Sequence, residues 1–372
     1  MTNDVFRCKK CLNMSTRPRI EFNEHGVCNA CTWAEEKRTS VNWSERWRKL
    51  EEMAGQLRGG NNEFDCIIPV SGGKDSSYVA YMAKDKLKLN PLCITVTPPL
   101  PFAVGQENLT NFTRSGFNLL AVTPDFNVLR RINKIGLNQF GIPMLGWQIA
   151  VQCYIPKLAA QMGISLILYG EDGEVEYGGT TISKDSFSYS VEYSKNIYLA
   201  GTYFQILRNN FSPKELAMFT YPTDEQLKAV NVTLAHWSYF EPWDSNRNYE
   251  IAKQYCGLKQ RHSGQQAGTF KTTGQNDTCL YDLHTYLMFL KFGFGRATQD
   301  ANIDIRAGKI TREEGIKMVQ EHDHWQPDCY LDSYAEYYQM SPDEIKACYD
   351  KFANKQLLQK KSGAWRLINE IF

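Results

Sequence analysis

One segment of the chain, Ser71-Gly72-Gly73-Lys74-Asp75-Ser76-Ser77, has the residue types and spacing of an anion-binding turn. It leaves an apolar run, Cys66 to Val70, and opens a helical pattern from Ser76. A strand-to-helix turn of this kind gathers bare backbone N–H groups and the positive end of a helix dipole at one point, which suits a phosphate. The two glycines let the backbone close on the anion, the serine hydroxyls add donors, Lys74 adds charge, and Asp75 can hold Mg²⁺ or orient a nucleophile. The string is not a Walker A loop, which needs four residues between its first glycine and its Gly-Lys pair.

A second polar loop runs Gly170-Glu171-Asp172-Gly173-Glu174-Val175-Glu176-Tyr177-Gly178-Gly179, directly after the apolar run Ile164 to Tyr169. Ligands of parallel α/β sheets sit beyond the carboxyl ends of the strands, so this loop is expected to face the first across a site. Its carboxylates could ligate Mg²⁺, deprotonate an amine or hold substrate hydroxyls; a solvated acidic loop is the plainer alternative. Farther on, the stretches Gly268 to Thr273 and Lys291 to Thr298 combine glycines, hydroxyls and cations near helix ends. Lys271 and Arg296 in them could receive a diphosphate or carboxylate, or simply lie in capped turns. Trp147, Trp237 and Trp243 read as core or interface aromatics.

Cys8-x-x-Cys11 and Cys28-x-x-Cys31, sixteen residues apart, match the four-thiolate zinc pattern. An iron–sulfur cluster or four unligated thiols are the alternatives. A module of this size has too small a core to fold unaided, so the metal is expected to supply much of its stability. His25 reads as an exposed turn residue rather than a ligand. The remaining cysteines (Cys66, Cys93, Cys153, Cys256, Cys279, Cys329, Cys348) form no further pair and read as core thiols.

The elements that must position these groups follow from pattern. Asn42 and Glu45 offer a helix start ahead of Trp43, Trp47, Leu50, Met53 and Leu57 at helical spacing, and the segment Arg58 to Asp65 reads as a linker. Strands are expected over Cys66–Val70, Leu92–Thr97, Phe117–Val122 and Ile164–Tyr169, alternating with helices: a doubly wound parallel α/β sheet. Pro69 fits the first strand only where that strand is ending. Beyond Tyr169 the strand signal fades and helices dominate, with capping boxes at Thr311/Glu314 and Ser341/Glu344. The expected domains are 1–40, a zinc-ribbon-like module; 41–64, a connecting helix and linker; 65–180, the α/β domain; and 181–372, a mostly helical region for substrate or partners.

Composition adds exclusions. The 372 residues carry Lys+Arg 42 against Asp+Glu 41, a net charge of +1, so no broad field draws the chain to nucleic acid or anionic lipid. The absence of a secretory-type N-terminal segment and of long apolar runs points to a cytoplasmic protein with no membrane insertion.

The string SGGKDSS resembles the PP-loop signature SGGxDS, whose family binds ATP on a doubly wound sheet of the HUP class and releases pyrophosphate, transferring AMP. The resemblance extends further, to the N-acetyl sugar amidotransferases of the WbpG/PseA type. It is carried by CKKCLNMSTRPRIEFNEHGVCNACTW, IPVSGGKDSSY, GEDGEVEYGG and KFGFGRATQDANIDIRAGKITREEG. Asp172 stands where an amide side chain is expected, which leaves that position without a role.

The resemblance implies an ATP-dependent, AMP-forming reaction that turns an acetamido group of a UDP-linked diacetamido sugar into an acetamidino group, for lipopolysaccharide O-antigen or nonulosonic acids. It further implies ATP and Mg²⁺ as cofactors, structural Zn²⁺, and ammonia from a separate glutaminase with a cyclase-like companion, both resembling those of histidine biosynthesis. Within the chain no cysteine has a recognisable glutaminase setting, and Thr2 after Met1 would expose no N-terminal cysteine. On this reading Ser71, Gly72, Gly73, Ser76 and Ser77 cradle phosphates, Lys74 steadies transition-state charge, Asp75 holds Mg²⁺ and Glu171 assists metal or amine. Thr95, Thr97 and Gly170 line the nucleotide pocket, and Glu174, Tyr177, Lys271 and Arg296 are candidate substrate contacts. The competing readings are a tRNA thiolase or lysidine-type synthetase, disfavoured by the near-zero charge, and a nucleotide-binding regulator without turnover.

Overall fold

The computed structural model describes residues 5–60, 62–199, 203–261 and 268–369; Thr2 and Asn61 of the linker lie outside them. Six strands make the main sheet: β1 (Cys66–Pro69), β2 (Pro91–Val96), β3 (Asn118–Val122), β4 (Leu166–Tyr169), β5 (Ser188–Tyr189) and β6 (Thr233–His236). Their order is β3-β2-β1-β4-β6-β5, parallel except for β5, which runs antiparallel at the edge.

Alternate residues of each strand feed opposite faces. Ile67, Ile94, Ile167 and Leu234 enter one core with the helices Phe126–Ile135 and Leu145–Met162. Ile68, Cys93, Leu168 and Ala235 enter the other with the helices Trp43–Leu57, Lys74–Asp85 and Ser245–Cys256. Every residue of β2 is buried, as a central strand covered on both sides requires. The arrangement is a doubly wound α/β sheet, and β1 ends at Pro69, where the missing N–H is harmless.

Two expectations need revision. The sheet does not stop at residue 180: β5 and β6 come from beyond it, and the helix Ser245–Cys256 packs along Lys74–Asp85. β6 is four residues long, too short for a distinctive alternation. A C-terminal hairpin, Leu358–Lys361 with Ala364–Leu367, was also invisible to pattern reading; Ser362 and Gly363 turn it with φ of +51° and +84°. The rest of the C-terminal half is helical, built on Leu280–Phe292, against which Leu331–Tyr338 and Pro342–Phe352 pack. Both expected capping boxes form. Among the described residues no helix is long and apolar enough to cross a membrane.

Candidate active site

Strand order reverses between β1 and β4, paired at Ile67 and Ile167, so a crevice opens beyond their carboxyl ends. Its floor is the glycine-rich turn. Gly72 holds φ of +82°, and a Cβ there would lie 3.0 Å from Leu109 Cγ, so the turn needs glycine on both counts. Gly73 caps the helix Lys74–Asp85, its N–H donating to Ser71 Oγ at 3.2 Å, while the Ser71 N–H donates to Ser76 Oγ at 3.3 Å.

Lys74 and Asp75 form an ion pair at 2.5 Å, and Asn248 Nδ2 holds the other Asp75 oxygen at 2.9 Å. Burial alone would lower the Lys74 ammonium, but Asp75 and Glu171 outweigh it and keep the pKa above the usual lysine range. Across the crevice Glu171 accepts from Tyr177 OH at 2.9 Å. Burial first, then the Asp75 charge, lift the Glu171 carboxyl above its ordinary value, against the pull of Lys74.

These groups line a cavity of about 400 Å³ with Ser71, Ser76, Gly170 and Arg296. Its inner lobe continues to Trp243, Thr269, Lys271 and Asp300. Arg296 is fixed by Asp300 at 3.1 Å, and Thr269 Oγ1 donates to the same carboxylate at 2.5 Å; Lys271 pairs with Asp304 at 2.8 Å. On the other side, Ser71 and Asp277 open into a largely apolar cavity of about 250 Å³ lined by Thr95, Thr97, Leu109, Leu119 and Ala121. Asp277 is pushed up to about 6 by burial, with Lys74 and a hydrogen bond to Ser71 opposing. An anion-binding turn, three cations and the carboxylates of Asp75, Glu171, Asp277 and Asp300 thus flank one crevice, with an apolar slot at its side.

Most of the candidate residues converge here: Ser71, Gly73, Lys74, Asp75, Ser76, Thr95, Thr97, Gly170, Glu171, Tyr177, Lys271 and Arg296. Three do not line it. Gly72 shapes the turn from behind, and Ser77 is buried beneath it, its N–H bonded to Gly73 O. Glu174 is turned away into a two-point contact with Arg19, at 2.9 and 2.6 Å. Glu176 likewise pairs with Lys37 at 2.6 Å, although it reaches the rim of the inner lobe. Asp172, the position without an expected role, caps the helical turn Gly173–Tyr177 and accepts from Ser183 and Tyr198. Lys291 points elsewhere, to the carbonyls of Phe140 and Gly141. Trp243, expected in a core or an interface, packs against the second core and also forms part of the cleft wall. Asn248, Gln275, Asn276, Asp277 and Tyr281 were missed; the polar run Gln275-Asn276-Asp277 after a glycine was the available signal.

The four N-terminal cysteines come together as well. Their sulfurs lie within 4.8 Å of one another, with Cys11–Cys28 at 3.6 Å and Cys8–Cys31 at 3.9 Å. Sulfurs about 2.3 Å from one tetrahedral ion are separated by distances of this order. A cubane cluster, with one cysteine on each of four irons, would hold them farther apart. The N–H groups of Asn13 and Cys28 and the Asn13 amide point at the sulfurs, as thiolates require. The donor set therefore fits a single metal ion. His25 is exposed, and of the other cysteines all are buried but Cys329.

Residues 258–371 match the family described as "LPS biosynthesis protein WbpG-like, C-terminal domain". Protein MJ1599 of Methanocaldococcus jannaschii is 29% identical over 109 residues, a match covering 29% of this chain and 39% of that protein's length. The NH3-dependent NAD synthetase of Campylobacter jejuni overlays with a TM-score of 0.29 at 14% identity, over 55% of this chain and 99% of that one. The U34-tRNA thiolase NcsA of Methanococcus maripaludis, with its [4Fe-4S] cluster, gives a TM-score of 0.31 at 13% identity, over 93% and 87% respectively.

Proposed function

We propose that this chain is an ATP-dependent, AMP-forming amidotransferase that converts an acetamido group of a UDP-linked diacetamido sugar into an acetamidino group, in lipopolysaccharide O-antigen or nonulosonic acid synthesis. One observation carries the reading: the anion-binding turn with Lys74, Asp75 and Glu171 shares its cleft with Lys271 and Arg296, which belong to the WbpG-like domain.

An acetamide resists amines because its oxygen leaves poorly. In the proposed reaction that oxygen attacks the α-phosphorus of ATP, pyrophosphate departs and the amide proton is lost, leaving an O-adenylyl imidate. Ammonia then adds to the imidate carbon, AMP leaves with the oxygen, and the amidine remains. The adenine fits the apolar slot at Thr95 and Thr97, the phosphates lie over Ser71 to Ser76, and the sugar diphosphate is drawn to Lys271 and Arg296. Lys74 steadies charge on the departing pyrophosphate. Asp75 lies close enough for its charge to raise the Glu171 carboxyl, and the two are the pair that would hold Mg²⁺, which neutralises phosphate charge when bound. Glu171, its carboxyl raised by burial, is also placed to take a proton from the incoming amine. The four-cysteine site would hold structural zinc. Ammonia is supplied by a separate glutaminase with its cyclase-like companion.

The test is direct. The chain is incubated with ATP, Mg²⁺, ammonium and a panel of UDP-diacetamido sugars, and mass spectrometry follows replacement of oxygen by NH alongside AMP and pyrophosphate. Sugar-independent pyrophosphate, or exchange on a tRNA instead, would defeat the reading.

A further inference from the structure

Gln275 lines both lobes of the cleft, between the glycine-rich turn and Arg296, and the roles given above leave it without a task. Its backbone holds φ of +58°. A non-glycine residue stays in that left-handed conformation only where its surroundings over-determine it, and such positions cluster at ligand clamps. Both polar atoms of its side chain, Nε2 and Oε1, are buried without a hydrogen-bond partner, and so is Oδ1 of the adjacent Asn276. Leaving a buried amide unbonded costs stability, so a fold that retains one needs a reason for it.

The neighbours narrow what that amide could meet. Lys74, Lys271 and Arg296 already serve anions, and Asp75 and Glu171 serve cations. A phosphate would use only Nε2, and an ammonium only Oε1. A neutral group with one acceptor and one donor uses both kinds of atom. An N-acetyl group is such a group, and because its peptide-like bond is trans, its C=O and N–H point to opposite sides. Nε2 of Gln275 can then donate to the carbonyl oxygen while the orphan Oδ1 of Asn276 accepts from the N–H, since one side-chain amide, with its oxygen and nitrogen on the same side, cannot meet both.

We propose that Gln275 is the specificity-determining residue that reads an acetamido group of the sugar, distinguishing it from a free amine. This rests on the sugar-acetamide function proposed above. The probes are a UDP-diacetamidohexose and its two singly deacetylated counterparts, titrated calorimetrically into the full chain. The wild type should bind the diacetamido sugar at least tenfold more tightly than one of the two amines, about 1.4 kcal/mol. Gln275→Glu keeps the shape but replaces the donor with an anion, so the preference should vanish or invert toward the amine. Gln275→Met keeps the reach without polarity. It should lose the preference yet melt no lower than wild type, because it removes an unsatisfied buried amide; a merely structural Gln275 would melt lower when replaced. MgATP affinity should stay the same in Gln275→Met, which adds no charge beside the phosphates. A Gln275→Glu protein that keeps the acetamido preference overturns the assignment and leaves the sugar reading standing. A wild type that binds none of the three sugars overturns both.

Discussion

Stripping the metal from the four-cysteine module should disable the cleft without unfolding the sheet. The module's own core is little more than the four thiols with Ala30, Ile20, Phe22, Val27 and Ile305. Structural zinc in such modules supplies roughly 10–16 kcal/mol of apparent binding energy, as much as the roughly 5–15 kcal/mol that holds a whole domain. Without it the module should unfold and release the acidic loop it grips. That seam includes Asn29 Nδ2 to Gly179 O at 2.6 Å, Asn13 Nδ2 to Tyr177 O at 3.2 Å, Trp33 Nε1 to Glu176 at 3.3 Å, and the Lys37–Glu176 and Arg19–Glu174 pairs, both at 2.6 Å. The Lys37–Glu176 pair is largely buried (17% and 14% exposed) and counts as a charged hydrogen bond of about 1.5–3 kcal/mol. Arg19, at 38% exposed, contributes less than about 1 kcal/mol. With two neutral hydrogen bonds the seam is worth on the order of 5 kcal/mol. Losing it frees Tyr177, and with it the hydrogen bond on Glu171. A misplacement of about 1 Å at a reacting group can cost about a hundredfold in rate. After chelation, hydrogen exchange over residues 173–179 should accelerate while β1 stays protected, and pyrophosphate release should fall by about a hundredfold. If metal-free protein keeps both that protection and its turnover, the module is an appendage and the reasoning fails.

The other predictions are smaller in scale. Lys74→Ala should lower formation of AMP and pyrophosphate by about 10²–10³, as loss of a preorganised charge does, and an unchanged rate removes its role. Gly105→Ala would set a Cβ 2.4 Å from the Asn276 carbonyl oxygen, so melting should show a loss of about 1–3 kcal/mol and MgATP should bind more weakly as the neighbouring Asp277 shifts. Asp277 is raised from 3.8 to about 6, so the folded state binds its proton more tightly than the unfolded chain. The stability this contributes is complete below about pH 4 and is lost as pH rises through about 6, on the order of 3 kcal/mol. Thermal melts of Asp277→Asn should therefore match wild type near pH 4 and exceed it increasingly up to pH 7. Glu174→Gln should change stability by about 1 kcal/mol or less and leave sugar affinity untouched, since it removes one charge from a pair whose arginine is 38% exposed and keeps an oxygen for the Thr180 N–H.

The parts legible in the sequence are those where local chemistry and long-range structure agree. The strand-to-helix turn at Ser71–Ser77 needs only its neighbours to bind an anion, and the Cys-x-x-Cys spacing carries half of each metal contact within a single knuckle. β2 could be read because all but Thr95 of its Pro91–Val96 run is apolar. β6 could not, because Thr233–His236 owes its place to partners on both sides. Gln275 and Asp277 escaped for a similar reason: their only local mark is a polar run after Gly274, of a kind common in any surface turn, and their place in the cleft comes from Gly105 and the glycine-rich turn packing against the same segment.

The acidic loop shows how one short string divides its labour. Asp172 starts a single helical turn, and Gly178, at φ of +92°, ends it. The flanking residues Glu171 and Tyr177 are thereby brought together over the cleft, where the phenol holds the carboxylate. Glu174 and Glu176 are thrown outward to Arg19 and Lys37 of the metal module. In sequence the four carboxylates look equivalent; after one turn of helix, one faces the cleft, one caps and two anchor. The anchors connect the four-cysteine site to Glu171 through a few side chains, while Lys271, Gln275 and Arg296 approach the same cleft from the region matched by the WbpG-like family. The glycine-rich turn and the residues matched by the WbpG-like family thus come from separate parts of the chain, which meet in the crevice and also pack together elsewhere, as at Asn133–Tyr337 and Lys291–Phe140. On the proposed function, a change at Gln275 is expected to alter which sugar is read while the turn at Ser71–Ser77 still binds phosphate.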